Sequence, residues 1–158
     1  MRERPILISF RDALRGLGAV WRAERNFRIH TAAAYGVLWG AWLLGLSFLE
    51  WVALVLTIGL VLTMEVWNTV LEAVVDLSSP EWNDLARWTK DAAAGAVFLA
   101  AAGAIATGVL VFGPRLLVPG LIWRALLARG WLAGIAALPW FGLVATIFLP
   151  RKERPTVR

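Results

Sequence analysis

The residues from Glu65 to Asp91 read EVWNTVLEAVVDLSSPEWNDLARWTKD, and this stretch decides how the rest of the chain is organised. It lies between two apolar runs, and the run that follows it, Ala92 to Phe112, has 21 residues without a charge. If Val52 to Val75 forms one α-helix at about 100° per residue, four polar side chains fall within an arc of about 80°. These are Glu65, Asn68, Glu72 and Asp76. The sequence therefore predicts an apolar helix with a single polar stripe.

The polar stripe requires a functional explanation, because an ionisable side chain inside a membrane helix costs about 3 kcal/mol on insertion scales. Glu65 lies 14 residues after Trp51, an expected interface residue. At about 1.5 Å per residue this is about 21 Å, which places Glu65 about 9 Å below the far surface of a hydrocarbon core about 30 Å thick. Glu72 then reaches that surface, and Asp76 lies outside it. This depth suits a reaction between a membrane-dissolved group and a soluble one.

The composition is that of an all-α integral membrane protein, because 59% of the residues are hydrophobic and only 17% are charged. The 158 residues suffice for one compact bundle rather than two domains. The chain has no cysteine, so disulfides and thiolate sites are excluded. The net charge of +5 comes from arginines that flank apolar segments. Such clustering is typical of membrane topology signals, and nucleic acid is not expected as a partner.

Residues 1–26 are predicted to contain an amphipathic helix that lies in the membrane surface. Apolar side chains recur on one face, and Arg11, Arg15 and Arg22 lie mostly opposite them. The apolar face consists of Phe10, Ala13, Leu14, Leu17, Val20 and Trp21.

Residues 27–113 are predicted to form a core of three transmembrane helices. The first span is expected from Phe27 to Leu49 and the second from Trp51 to Leu77. The third span includes the uncharged run that follows Asp91, and its many Ala and Gly residues permit close helix approach. A new helix is expected to begin at Ser79 as N-cap, with Pro80 in its first position.

Residues 114–158 form a C-terminal extension. Gly113 and Pro114 are expected to end the third helix, and a second interfacial helix is predicted from Leu116 to Leu127. The 19 residues from Trp131 to Leu149 have no charge and one proline, and they are long enough for a fourth span. A basic tail follows this span.

The basic residues predict the orientation of the chain. The N-terminal arm and the tail are rich in arginine, the turn at 47–50 has no basic residue, and the 78–91 loop has Arg87 and Lys90. With four spans, both termini and the polar stripe face the cytoplasm of a multi-pass protein of the inner membrane. Three arginines then lie on the non-cytoplasmic side, contrary to the rule that basic residues face the cytoplasm: Arg115, Arg124 and Arg129.

Three groups of residues also occur in the order and spacing of a known family. The second span has E-x-x-N-x-x-x-E-x-x-x-D from Glu65 to Asp76, and K-D-x-x-x-G from Lys90 to Gly95 leads into the third. Before the first span stand F-x-x-A-x-x-G from Phe10 to Gly16 and E-x-N-F-R-I-H from Glu24 to His30. With these motifs the chain resembles the small prokaryotic diacylglycerol/undecaprenol kinases from residue 10 to about residue 113. Two features depart from the family: residues 114–158 lie outside the resemblance, and the loop at 81–83 reads EWN where many relatives have EYH.

The resemblance implies a three-helix transmembrane kinase core preceded by a surface helix. It implies ATP-dependent phosphorylation of a membrane lipid alcohol with Mg²⁺ as cofactor, and undecaprenol is favoured over diacylglycerol as the substrate. It also implies a homo-oligomer, a homotrimer in this family, with sites shared between subunits.

The resemblance further assigns roles to individual residues. Glu65 is the catalytic carboxylate and contacts the lipid substrate, together with Arg28 and His30. Glu24 and Glu72 are the magnesium ligands. The residues implied in nucleotide binding are Asn68, Glu72, Asp76, Glu81, Trp82, Asn83, Lys90 and Asp91.

Other interpretations of the same residues stay open. Asp76 and Asp91 could merely pair with Lys90 or Arg87, and Glu65 could be a hydrogen-bonding group between subunits. No P-loop occurs, because neither lysine of the chain lies in a G-x-x-x-x-G-K sequence. Intramembrane carboxylates also occur in small transporters and proton-relay proteins. Those proteins are expected to have carboxylates throughout the bilayer, whereas here the stripe rises only to one edge. A bundle that has lost its activity is disfavoured because no motif residue is missing.

Overall fold

A computed structural model of the chain describes residues 6–79 and 83–150. Within these ranges the chain forms six α-helices and no strand, which confirms the predicted all-α fold. The helices are α1 Ile6–Ala23, α2 Arg25–Leu44, α3 Phe48–Ser78, α4 Asp84–Leu116, α5 Leu121–Arg129 and α6 Trp131–Thr146.

The polar stripe lies on α3, which is one continuous helix of 31 residues, as predicted for Val52 to Val75. It begins at Phe48 rather than at Trp51, because Ser47 and Glu50 form a capping box. The backbone N–H and the hydroxyl of Ser47 each donate to Glu50 Oε2 at 2.8 Å. This satisfies polar groups at the helix start, and the sequence prediction had not included it.

The prediction that the first span continues to Leu49 is wrong, because α2 ends at Leu44. Gly45 has φ 64°, the left-handed conformation that glycine adopts without a Cβ penalty. The N–H of Gly45 donates to Trp42 O, and that of Leu46 donates to Ala41 O. The chain then turns back into α3, which makes α2 and α3 antiparallel neighbours.

Both ends of α4 differ from the prediction. Its N-cap is Asn83, whose side-chain oxygen accepts from the N–H of Leu85 at 2.8 Å, and Ser79 is instead the C-cap of α3. Pro80 lies outside the described residues. Pro114 does not end α4, which continues to Leu116. A proline in the last turn removes a single intrahelical hydrogen bond, and the Arg115 side chain donates to Val111 O at 2.7 Å in the same turn.

The extension contains the two predicted helices with shorter bounds. The helix predicted to be interfacial, α5, begins at Leu121 rather than Leu116, after Gly120 with φ 71°. The last helix ends at Thr146 rather than Leu149. Gly130, with φ 54°, separates α5 from α6, and the two helix axes differ by 101°.

Two described helices, α3 and α4, are each long and apolar enough to cross a membrane, and α5 with α6 would make a third if that bent pair is one span. These features and the helical fold identify an all-α membrane protein. By length and composition α2 is not among the spanning helices, because its first two turns include Arg28 and His30. That α2 and α6 each cross the bilayer stays a prediction.

The packing places the polar stripe at one end of the bundle. α3 packs against α4 along much of its length, and α2 packs against both α3 and α6. A buried apolar cluster of Ala41, Leu46, Leu54 and Val111 fills the end near the 45–47 turn. The N-terminal half of α2, the C-terminal half of α3 and the start of α4 meet at the opposite end, where α1 also contacts α2 and α3.

Candidate active site

The deepest member of the stripe, Glu65, is 3% exposed, and its carboxylate lies beside the only histidine of the chain. Glu65 Oε1 is 3.1 Å from His30 Nε2, so a side chain of α2 meets one of α3 inside the bundle. The His30 side chain is more exposed, at 28%. The pair thus connects a buried carboxylate to a partly exposed imidazole, an arrangement that suits a proton acceptor and the group that orients it.

One helical turn further along α3, Asn68 and Glu72 form the second polar pair. Asn68 Nδ2 donates to Glu72 Oε1 at 2.8 Å, so the amide orients Glu72 rather than Glu65. Asn68 Oδ1 is buried without a hydrogen-bond partner among the described residues. A buried oxygen without a partner is uncommon in native proteins and is consistent with a site that a ligand completes.

At the end of the stripe one pair of charges joins α3 to α4, and a second pair lies within α4. Lys90 Nζ contacts Asp76 Oδ1, and Arg87 Nε is 3.7 Å from Asp91 Oδ2 one turn away on α4. The pairing of Asp76 with Lys90 and of Asp91 with Arg87 is therefore present, as the alternative interpretation allowed. All four side chains are at least one-third exposed, so water or a soluble ligand can reach them.

Arg28, which the resemblance places at the lipid substrate, is only 2% exposed. Its Nη2 donates to the carbonyl oxygen of Leu149 at 3.2 Å, and its Nε has no partner among the described residues. The acceptor lies in the C-terminal extension, 121 positions along the chain. A buried guanidinium with an unused N–H is suited to donate a hydrogen bond to an oxygen atom of a ligand.

Glu24 stands at the junction of the first two helices, half-buried, as the N-cap residue of α2. Its side chain makes no cap hydrogen bond to the first turn of α2. Among the described residues no group of three or more His, Cys, Asp or Glu side chains could hold a metal ion. Mg²⁺ commonly uses one or two carboxylates and fills its other positions with phosphate and water, so this finding is compatible with two glutamate ligands.

The loop residues predicted to bind nucleotide are only partly described. Glu81 and Trp82 lie outside the described residues. Asn83 is exposed, and its side-chain oxygen caps α4.

Two features of the site were not recognised in the sequence. The first is the contact of His30 with Glu65, because the residues are 35 positions apart and only the α2–α3 hairpin brings them together. The second is the contribution of the extension to Arg28. A signal for it exists in the sequence: Arg28, Tyr35, Trp39 and Trp42 recur at helical spacing on α2 and have hydrogen-bonding or aromatic side chains.

Comparisons with known proteins agree with these features. Residues 11–112 match the sequence profile of a family described as prokaryotic diacylglycerol kinase, which is more than half of the chain. The chain is 44% identical over 108 residues to a Bacillus subtilis protein named undecaprenol kinase, covering 68% of this chain and 88% of that protein.

Two further relatives are named diacylglycerol kinase. The Synechocystis protein is 43% identical over 113 residues, which are 71% of this chain and 65% of that protein. The Escherichia coli K12 protein is 33% identical over 94 residues, which are 59% of this chain and 76% of that protein. No solved structure matches the chain.

Proposed function

The chain belongs to the prokaryotic diacylglycerol kinase family and is a lipid kinase, and on this premise we propose that it transfers the γ-phosphoryl group of ATP to undecaprenol. The reaction takes place at the cytoplasmic face of the inner membrane. The observation that supports this most directly is the buried Glu65 beside His30, on a stripe that continues to exposed charges at Asp76 and Lys90. A lipid hydroxyl and a soluble nucleotide can meet along such a stripe.

Glu65 is the proposed proton acceptor. As the lipid hydroxyl oxygen forms its bond to the γ-phosphorus, the bond from that phosphorus to the β–γ bridging oxygen breaks and ADP leaves. The hydroxyl proton moves to the Glu65 carboxylate. His30, 3.1 Å from that carboxylate, orients it towards the substrate. Positioned acid–base groups of this kind contribute about 10²–10⁴-fold to a rate.

The residues one turn away are suited to a magnesium ion and the phosphates. Glu72 and Glu24 would hold Mg²⁺, and the Asn68 amide, which donates to Glu72, fixes that carboxylate and still has an unpartnered oxygen. Hard oxygen donors of this kind are the ligands that Mg²⁺ prefers. When bound, the ion neutralises phosphate charge. Lys90 leaves Asp76 to pair with a phosphate oxygen, and Asp76, Glu81, Trp82, Asn83 and Asp91 surround the nucleotide.

Undecaprenol is the preferred substrate for two reasons. The NFRIH sequence ending at His30 and the KDAAAGAV sequence starting at Lys90 resemble the undecaprenol kinase branch. The relative named undecaprenol kinase is matched over 88% of its length, compared with 65% for the Synechocystis relative named diacylglycerol kinase. The 43% identity to that second relative keeps diacylglycerol as the alternative substrate.

The substrate assignment can be tested with purified protein, γ-labelled ATP and mixed micelles that contain either undecaprenol or diacylglycerol at equal mole fraction. We expect labelled undecaprenyl phosphate to form with the higher kcat/KM, and Glu65→Gln to form neither product. A preference for diacylglycerol would transfer the assignment to phosphatidic acid synthesis. Absence of any labelled lipid with the wild type would contradict the proposed function.

We further propose a homotrimer with a cytoplasmic C-terminus. The apolar faces of α3 and α4 exceed what one chain covers, and the resemblance implies sites shared between subunits. Mixing Glu24→Gln with Glu65→Gln subunits should restore part of the activity that each variant lacks, and no rescue would indicate self-contained sites. A reporter that is active only in the cytoplasm should function when fused after Arg158.

A further inference from the structure

In the described part of the extension, residues 114–150, five hydrogen bonds from side chains to backbone carbonyls join it to α2. Read along α2, they are Arg28 to Leu149 O at 3.2 Å, Trp140 to Ala32 O at 3.0 Å, Tyr35 to Ala136 O at 2.7 Å, Trp39 to Ala133 O at 3.2 Å and Arg129 to Trp42 O at 2.9 Å. Residue numbers increase along α2 while those of the partners in the extension decrease, so the two segments are antiparallel. We call this set of contacts the α2–α6 seam.

The seam follows a single face of α2. Its members on α2 lie at intervals of four, three, four and three residues, which keeps them within about 80° of each other over about 21 Å of helix. At the Arg129 end the guanidinium also lies over the Trp42 ring, 4.6 Å from its centroid. Most donors are neutral indole or phenol groups. Neutral donors to helix carbonyls suit a bilayer, where a charge is costly and an unmade hydrogen bond cannot be replaced by water.

Gly36 allows the seam to close. A Cβ at this position would stand 3.0 Å from Trp140 Nε1, the atom that donates to Ala32 O. Real Cβ atoms rarely approach a neighbour so closely, so Trp140 would have to move. On α6 itself, Gly134 has no atom within 4 Å of such a Cβ. The two glycines therefore form a matched pair, one inside the seam and one outside it.

The opposite face of α2 holds the catalytic contact. His30 lies about 200° around the helix from Arg28, and it faces Glu65 on α3. α2 is thus packed between α6 on one side and α3 on the other. All seam partners contributed by the extension lie beyond residue 112, where the family match ends.

We propose that α5–α6 is an intramolecular brace that fixes α2 against α3 and thereby holds His30 against Glu65. Tyr35, Trp39 and Trp140 are then positioning residues for phosphoryl transfer, a role that rests on the proposed function. The physical reason is the narrow tolerance of the contact: a displacement of about 1 Å can lower a rate by about 10²-fold. α2 is also less apolar than α3 and α4, so burial in lipid fixes its position less firmly.

The first test compares Gly36→Ala with Gly134→Ala, the same change inside and outside the seam. At a temperature well below either melting transition, Gly36→Ala should lower kcat several-fold, because Trp140 has to move by only a few tenths of an ångström. KM for Mg·ATP should change less than kcat, because Glu24, at the start of α2, lies about three turns from Gly36 and the other proposed nucleotide and Mg²⁺ residues lie on α3, α4 and the segment between them. Gly134→Ala should match the wild type. In a Trp140→Phe background the effect of Gly36→Ala should shrink, because the crowded nitrogen is gone. If Gly36→Ala does not fold, Tyr35→Phe, which removes one hydroxyl, should give a smaller fall in kcat.

The second test reads the contact without turnover. His30 is the only histidine, so ¹⁵N-histidine labelling of protein purified with a histidine-free tag gives one imidazole signal pair at fixed pH. The signals of Gly36→Ala and Tyr35→Phe should shift towards those of Glu65→Gln, and those of Gly134→Ala should not. If the imidazole signals shift as expected but the wild-type protein has no kinase activity, the brace is supported and the proposed function is rejected. Unchanged imidazole signals in the seam variants would overturn the brace, whether or not kcat falls.

Discussion

Among the described residues, Glu50 at one end of the α3–α4 pair accepts four hydrogen bonds, whereas at the other end the buried Glu65 carboxylate contacts one polar group, His30. The Glu50 partners are the N–H and hydroxyl of Ser47 and both terminal nitrogens of Arg115, at 2.7 to 2.8 Å. Those contacts join the first turn of α3 to the last turn of α4. We refer to the two regions as the cap end and the site end.

The difference lies in how completely the polar atoms are satisfied. At the cap end the Glu50 carboxylate forms a capping box with Ser47 and a bidentate ion pair with Arg115. At the site end Asn68 Oδ1 and Arg28 Nε are buried without a partner among the described residues, and the Asp76–Lys90 pair is open to water. Donors and acceptors that already have partners stabilise a helix junction, whereas buried ones without a partner are available to a ligand. Charges at the cap end therefore stabilise the fold, whereas charges at the site end are available for the proposed chemistry.

The largest expected effect separates the two buried or half-buried glutamates of these ends. Glu65→Gln keeps the shape of the side chain and removes the proton acceptor, so turnover should fall by about 10²–10⁴-fold while Mg·ATP still binds. Glu50→Gln, the same change at the cap end, should leave kcat close to that of the wild type. The measurement is turnover together with equilibrium nucleotide binding. Normal turnover by Glu65→Gln would show that this residue is not the proton acceptor. The proposed difference between the cap end and the site end would then fail.

A second, smaller effect distinguishes residues within the site end. Glu72→Gln removes a negative oxygen ligand, so the apparent affinity for Mg·ATP should fall by at least about tenfold, comparable to the loss of an outer-shell metal partner. Excess Mg²⁺ should restore part of the turnover, whereas it should not rescue Glu65→Gln. Titrating Mg²⁺ for both variants tests this. An equal loss of nucleotide binding in both would contradict the separate roles.

The smallest expected effect concerns stability at the cap end. Glu50→Ala removes the capping box and the Arg115 pair together, so the melting temperature in detergent should fall by a few degrees. The Gln side chain of Glu50→Gln can still accept hydrogen bonds, so the melting temperature of this variant should fall less. Asp76→Asn at the site end should change the melting temperature less than Glu50→Ala, because its exposed ion pair contributes little. A larger destabilisation by Asp76→Asn would show that the site end also holds the bundle together.

The sequence predicted much of this protein because its strongest signals are local. A continuous apolar helix with four polar groups at helical spacing predicts both a membrane segment and a candidate functional face. The motifs of the resemblance lie on that face, at the adjoining starts of α2 and α4, and on α1. Helix ends were predicted less well: Gly45 ends α2 early, and α4 continues through Pro114. Both outcomes depend on hydrogen bonds to atoms that a linear pattern does not identify.

Only the tertiary structure decided which polar groups meet. Nothing in the spacing shows that His30 contacts Glu65, that Arg115 reaches Glu50, or that Arg28 donates to the carbonyl of Leu149. These partners lie 35, 65 and 121 positions apart. They meet because α3 runs antiparallel to α2, α4 runs antiparallel to α3, and the extension runs antiparallel to α2. Periodicity along one helix specifies which face is polar, because it is set by the geometry of a single element. The identity of each partner depends on how separate helices pack, and that information is distributed over the whole chain.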